Sequence, residues 1–231
     1  IWIDIVSKFR LIEKRWSTNF EKYTFILANP SKYFDKICKV FFPDLKYKVI
    51  PKNQTWRFAH IIVPSMSNYQ DGILTPHMPT WIRYLANLVV GKDIKPTRKI
   101  FITRRDAENR NIKNQEELIM SLKGWETVTL EDLSIEEQVK TFAEATHIVS
   151  PHGAGLTNLL WCRPGTKVYE LTHEAFMHKK VYPSLSHHLK LKHTVIVCET
   201  EKLLTKKPKN KKSKDMVNLK INIPSLIKML D

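Results

Sequence analysis

A chain of 231 residues can hold one large domain or two small ones with a sizeable core, and its 42% hydrophobic and 26% charged content is ordinary for a globular protein. No apolar stretch approaches the roughly 20 residues a membrane helix needs. Three distant cysteines, Cys38, Cys162 and Cys198, give neither a disulfide framework nor a zinc spacing and predict buried free thiols. The net charge of +15 asks for an anionic partner or a local tail, but no nucleic-acid motif accompanies it, so no nucleic-acid partner is expected.

The chain opens Ile1-Trp2-Ile3-Asp4-Ile5-Val6, with neither an initiator Met nor a signal-peptide layout, and reads as the middle of a helix. A fragment of something longer is therefore expected. Trp2, Ile5, Phe9, Ile12 and Trp16 form an apolar helical stripe. Thr24 to Ala28 predicts a short strand, and Asn29-Pro30 the cap and first residue of a helix with Tyr33, Phe34, Ile37, Val40 and Phe41 inward. Lys46 to Ile50 and Phe58 to Val63 predict strands. Pro76-His77-Met78-Pro79 resets the chain before a longer helix built on Trp81, Tyr84, Leu85, Leu88 and Val89. Residues 1–95 thus read as an alternating α/β half that lacks its beginning, and 91–97 as a hinge.

The alternation is cleaner in a second α/β domain over 96–200. Lys99 to Thr103 is a predicted strand, and Asn114-Gln115-Glu116-Glu117 starts a helix. Glu126 to Leu130 is a strand, and Ser134-Ile135-Glu136-Glu137 a capping box ahead of Ile135, Val139, Phe142 and Ala143 on a core face. A strand, glycine turn, helix, turn and strand follow over 146–171. A helix ending near Leu189, disturbed at Pro183, and a strand from Thr194 to Cys198 complete the domain. Residues 201–217 form a linker in which Lys202, Lys206, Lys207, Lys209, Lys211, Lys212 and Lys214 crowd together. Such a block is first a solvated loop, and otherwise a contact for an anionic surface. Over 218–231 the end of an alternating strand, Met216 to Ile223, and a helix, Pro224 to Leu230, finish the chain.

The chemistry concentrates at 146–171. Of six glycines, Gly153, Gly155 and Gly165 fall there. His152-Gly153-Ala154-Gly155 follows the strand that Pro151 stops, and Leu156, Leu159 and Leu160 open a helix. A glycine turn opening a helix aims free N–H groups at one point, which suits a phosphate. Read alone it is equally a tight turn capped by His152. Arg104, Arg105 and Arg110 leave the end of an earlier strand, where open α/β sheets hold ligands, and arginine grips phosphate oxygens bidentately. The plainer reading pairs them with Asp106 and Glu108 on the surface.

The run Ser-Pro-His-Gly-Ala-Gly-Leu-Thr-Asn at 150–158, followed by Pro-Gly-Thr-Lys-Val-Tyr-Glu-Leu at 164–171, resembles glycosyltransferase family 61. Ile102-Thr103-Arg104-Arg105-Asp106 and Arg110-Asn111-Ile112-Lys113-Asn114-Gln115-Glu116-Glu117-Leu118 extend the likeness. The resemblance implies two Rossmann-like halves in a GT-B-like arrangement, the first incomplete. It implies an inverting transferase moving a sugar of the GlcNAc or pentose class from a UDP-sugar to a glycan or protein acceptor. The donor nucleotide site would comprise Arg104, Arg105, Arg110, His152, Gly153, Ala154, Gly155, Asn158 and Glu170. Arg104 and Arg110 would hold the diphosphate, His152 the diphosphate or leaving oxygen, Glu170 the ribose or base, and Asn158 the turn. The chain has no Asp-x-Asp, so arginine and the glycine turn are expected to replace a metal, and no cofactor is expected. The base stays unassigned: His60, Asp71 and His77 lie in the acceptor-side half, and residues of these types are more often structural than catalytic. Two rival functions stay open: a degenerate nucleotide- or glycan-binding domain, and an NAD-binding oxidoreductase, for which Asn158 stands where the third glycine belongs. An esterase would need Gly-x-Ser-x-Gly, which is absent. Cysteine usage points to the cytoplasm and the eukaryotic family members to the secretory lumen, so the compartment stays open.

Overall fold

The computed structural model describes residues 8–10, 23–28, 30, 33–63, 78–104, 111–202 and 217–230. The centre is a five-stranded parallel sheet of β3 (Arg98–Ile102), β4 (Glu126–Val128), β5 (Ala145–Pro151), β6 (Lys167–Thr172) and β7 (Lys192–Val197), in the order β4-β3-β5-β6-β7. The second strand of the five lies on one side of the first and the third on the other. The winding therefore reverses between β3 and β5. In open parallel sheets that switch point, at the carboxyl ends of the strands, is where ligands bind.

Two apolar faces require two covering layers. Ile100, Ile102, Ile148 and Val168 pack with α4 (Ile135–Ala143), a 3₁₀ helix (Ala154–Trp161) and α5 (Val181–His188). Phe101, Val149, Tyr169 and Leu171 pack with α3 (Gln115–Ser121) and α6 (Ile223–Leu230). The earlier part of the chain supplies a parallel pair, β1 (Phe25–Ala28) and β2 (Tyr47–Ile50), with α1 (Phe34–Phe41) and α2 (Met78–Val90). Both helices lie against α4, and Phe41 stacks on Trp161 at 5.5 Å between ring centres. Their buried residues, from Phe34 to Ala86, join the same cluster as one face of the large sheet. An antiparallel hairpin, β8 (Glu199–Lys202) and β9 (Val217–Lys220), completes the fold. Its β9 also pairs with the chain at Ile112, through Lys113 N–H to Leu219 O and Leu219 N–H to Asn111 O, each 2.8 Å.

Most predicted elements form, and the departures have local causes. Ser134 makes the capping box: its hydroxyl accepts from Glu137 N–H at 3.1 Å, and its own N–H reaches the Glu137 carboxylate at 2.7 Å. Asn114 does not cap α3; its side chain bonds both ways with the Ile221 backbone, at 2.8 and 2.9 Å, joining that helix start to the segment before α6. Pro183 falls in the first turn of α5, where no intrahelical N–H is needed, so it starts the helix without disturbing it. The first predicted helix after β1 begins at Phe34, not at Pro30. Phe58 to Val63 forms no strand; among the described residues no strand pairs with it, and Ile61 and Val63 stay 58% and 78% exposed. The hinge residues 91–97 are tied at both ends: Arg163 holds Asn87 Oδ1 at 2.8 Å and Gly91 O at 3.3 Å, and Thr97 N–H bonds Glu144 O at 2.8 Å. All three cysteines are free and buried, and burial pushes the Cys198 thiol up to about 11. Trp2, Ile5, Ile12, Trp16, Asn29, Asp71, His77, Arg105, Asp106, Glu108, Arg110 and the lysines of 203–216 lie outside the described residues.

Phe142, fully buried on α4 between the sheet and α2, holds the layers together. Phe142→Ala should cost about 3–5 kcal/mol through transfer and cavity terms. Ser134→Ala, which removes only a cap, should cost about 1 kcal/mol. Urea unfolding with an unchanged slope checks both values.

Candidate functional site

The carboxyl ends of β3 and β5 meet at the switch point. Pairing of β5 with β3 ends at Val149, whereas pairing with β6 continues to Pro151, and His152 N–H still bonds Leu171 O at 2.8 Å. The gap opened on the β3 side receives Arg104, whose Nη1 donates to His152 O at 2.9 Å. Gly153 there is extended, at φ 171°, so its conformation is open to any residue. Space is what it lacks: a Cβ on Gly153 would lie 2.2 Å from Arg104 Nη1. Glycine is needed so that the guanidinium can lie on the turn. Gly155 has a different neighbour, since its Cβ would meet Leu130 Cδ1 at 2.8 Å. Of the three glycines here only Gly165 is left-handed, at φ +90°.

The helix after the turn is 3₁₀, where the sequence suggested an α-helix. Its side chains fit three residues per turn. Thr157 Oγ1 donates to Ala154 O at 2.7 Å, Asn158 Nδ2 to Gly155 O at 3.3 Å, and Trp161 Nε1 to Asn158 Oδ1 at 3.2 Å. Leu156 and Leu159, also three apart, are both fully buried. The first bond of the turn runs from Leu156 N–H to Gly153 O at 3.0 Å, so the N–H groups of Gly153, Ala154 and Gly155 precede the helix ladder. Asn158, 4% exposed, also reaches Gln138 Oε1 at 3.2 Å and fastens the turn to α4.

Beneath the turn sits a buried charge. Glu170, 2% exposed, takes a very short contact from His152 Nδ1 on one carboxylate oxygen and one from His193 Nε2 at 2.9 Å on the other. Burial, the largest single influence, works against its ionisation. Hydrogen bonds from His152 and His193, and then their charges, outweigh burial and hold the carboxyl below the usual range. The His152 ring is bracketed edge-on by Phe176 and Tyr182, at 5.3 and 5.2 Å. With Nδ1 committed to Glu170, Nε2 is the nitrogen left for a ligand.

The family model described as Glycosyltransferase 61 matches residues 3–169, well over half of the chain. The chain belongs to glycosyltransferase family 61. Protein O-linked-mannose beta-1,4-N-acetylglucosaminyltransferase 2 of Xenopus laevis is 31% identical over 121 residues, covering 45% of this chain and 21% of that protein. This family 61 domain thus spans about a fifth of that relative's length. With the family shown, the oxidoreductase alternative falls away.

Within the domain, Arg104 meets the turn at His152 and Gly153, Ala154 and Gly155 continue that turn, and Asn158 bonds Gly155 O. Glu170 is beneath His152, not at a surface open to a ribose, since both carboxylate oxygens are taken by histidines. The resemblance gave Glu170 the ribose or base; here its partners are His152 and His193. Sequence reading passes over His193, Phe176 and Tyr182. Only Glu170, an acid within an apolar strand, hinted that a buried partner must exist.

Gly153→Ala should displace Arg104 and weaken anion binding about as much as Arg104→Ala, while a Leu130→Ala background should relieve Gly155→Ala but not Gly153→Ala; phosphate-analogue titration of these single and double variants beside the parent checks this. Glu170 has a lowered folded pKa, so its stabilisation is present above the ordinary glutamate value of about 4.3 and is lost as pH falls through the lower, folded value. The melting temperature of Glu170→Gln should consequently lie below the parent's at neutral pH, and the gap should close on acidification through that window.

Proposed function

We propose that this domain binds the nucleoside diphosphate of a UDP-sugar at the β3–β5 crevice and transfers the sugar, with inversion, to a glycan or glycoprotein hydroxyl. The observation that carries the reading is the meeting of Arg104 with the His152–Gly153 turn where the sheet's winding reverses. A permanently charged fork and an imidazole lie there beside a turn whose backbone N–H groups precede the helix ladder, a combination suited to a growing diphosphate charge. In the transfer, an acceptor oxygen bonds to the anomeric carbon as that carbon's bond to the diphosphate oxygen breaks. The electron pair leaves with the diphosphate, and the acceptor's proton passes to a base that the described residues do not identify. His152 Nε2 serves the departing oxygen. The scheme needs no metal: the sequence lacks Asp-x-Asp, and Arg104 supplies the positive charge. The arrangement in this reading is GT-B-like, with β1, β2, α1 and α2 belonging to the acceptor-side half. The name of the Xenopus relative makes N-acetylglucosamine and an O-mannosyl acceptor the first donor and acceptor to try.

UDP should bind in calorimetry with a chelator present, and strict dependence on manganese would remove the metal-free part of the scheme. Arg104→Ala should weaken UDP by roughly tenfold to more than a hundredfold, the value of about 1.5–3 kcal/mol for a charged hydrogen bond. A panel of UDP-sugars should show slow release of UDP from one donor. Binding without any turnover would favour a nucleotide-binding module.

A further inference from the structure

We infer that Lys99, His147, Lys167 and Lys192 form a second binding site, for an acidic glycan chain, at the amino ends of the strands. The choice of a glycan as carrier of the charge rests on the reading above; the site itself does not. The four residues share one register line. Lys99 is paired with His147, His147 with Lys167, and Lys167 with Lys192, across β3, β5, β6 and β7. Phe101, Val149 and Tyr169, two residues along from the first three, pack on the α3–α6 side, so the row lies on that face. His147 and Lys167 are half-buried, and Lys99 and Lys192 are exposed. His152 follows His147 by five residues, about 16 Å at the usual rise, so the row and the crevice occupy opposite ends of the sheet.

Like charges directly opposite one another destabilise a sheet. None of the three lysines has an ion pair among the described residues. Arg98 makes the contrast, one residue before Lys99 and on the α4 side, where it holds Glu126 at 2.5 Å and Glu144 at 3.2 Å. At this end of the sheet, then, the cation on one face is neutralised and the row on the other is not. The register shifts between Arg98 and Lys99, leaving Thr146 as an extra residue of β5. Thr146 Oγ1 donates to Arg98 O at 2.9 Å and so accepts from His147 Nδ1 at 3.0 Å. Burial, then Lys167, then Lys99 lower the proton affinity of that ring. Trp125 packs edge-on against it at 6.0 Å, and from α6 the Met229 carbonyl accepts from Tyr169, two residues beyond Lys167, at 3.2 Å. A bound anion relieves the repulsion. Four strands make the row about 14 Å long and one residue wide, which suits a narrow chain with spaced charges. A flat anionic membrane on this end would also meet Glu126 and Glu144, two acids against the single Arg98.

The test uses the whole chain with Lys206, Lys207, Lys209, Lys211 and Lys212 changed to glutamine, so that the lysine run cannot supply the binding. The probe is a heparin-derived sulfated hexasaccharide, followed by calorimetry. It should bind, its desulfated form should not, and its affinity should fall with added salt. Changing Lys99, Lys167 and Lys192 together to glutamine should weaken it at least about tenfold, while the same three changes to arginine should keep it within about twofold. Lys48→Gln, on β2, should leave it unchanged, and UDP affinity should be the same in the parent and the glutamine triple. In nitrogen-15 spectra the probe should raise the His147 titration by about one pH unit, a tenfold change in proton affinity. The proposal is overturned if the glutamine triple binds the probe as well as the parent, or if inorganic sulfate at equal sulfate concentration binds as tightly. It is overturned also if phosphatidylserine vesicles bind through the row and the hexasaccharide does not. Asp231 lies outside the described residues; if Asp231→Asn lowers the His147 titration, the chain's own carboxylate is the occupant and the glycan site falls. A parent that fails to bind UDP would sink the crevice reading and leave the row standing.

Discussion

A carboxylate stripped of water must find donors or lose its charge. Glu170 finds two, from the turn after β5 and from β7, and much of the site follows from that pairing. The contact commits Nδ1 of His152 and leaves Nε2 as its other ring nitrogen. It also links β5, β6 and β7, three of the five strands of the sheet, at their carboxyl ends. Phe176 and Tyr182 then limit how the imidazole can turn. A carboxylate that orients an imidazole is a recurrent device for a group that must present one particular nitrogen.

The second constraint is steric. Arg104 and Gly153 occupy the same small space, and the arginine can lie on the turn only because the residue there has no side chain. Gly155 answers to Leu130, which belongs to the short 3₁₀ turn after β4, so the two glycines of one motif serve different purposes. One admits a charged group to the crevice. The other lets the 3₁₀ helix seat against its neighbour, where Asn158 and Gln138 then lock it.

In the proposed reading, Arg104 and His152 are held in place before any ligand arrives. Preorganisation of this kind lowers the reorganisation needed as charge develops. Asn111 to Lys113 lie against β9, so the chain ahead of α3 is tied to a hairpin far along the sequence.

The sequence by itself determined the alternation of elements, the capping box at Ser134, the turn at 152–155 and an arginine at the end of β3, because these depend on neighbours within a few residues. It also carried the family in the compound pattern of 150–158 and 164–171. It misread the helix after the turn, since period three and period 3.6 differ little over eight residues and the i,i+3 side-chain bonds that decide between them are invisible in a string. Phe58 to Val63 looked like a strand because apolar content says nothing about whether a partner strand is present. Glu170 looked like a ligand for a ribose because its position at the end of a strand was legible but its neighbours were not. Only the tertiary structure decided those neighbours: the register of β6 on β7 sets His193 beside Glu170, and the strand order sets Arg104 beside His152. Both are contacts between residues far apart in the chain, and such pairs are fixed by how whole strands align, not by any local preference.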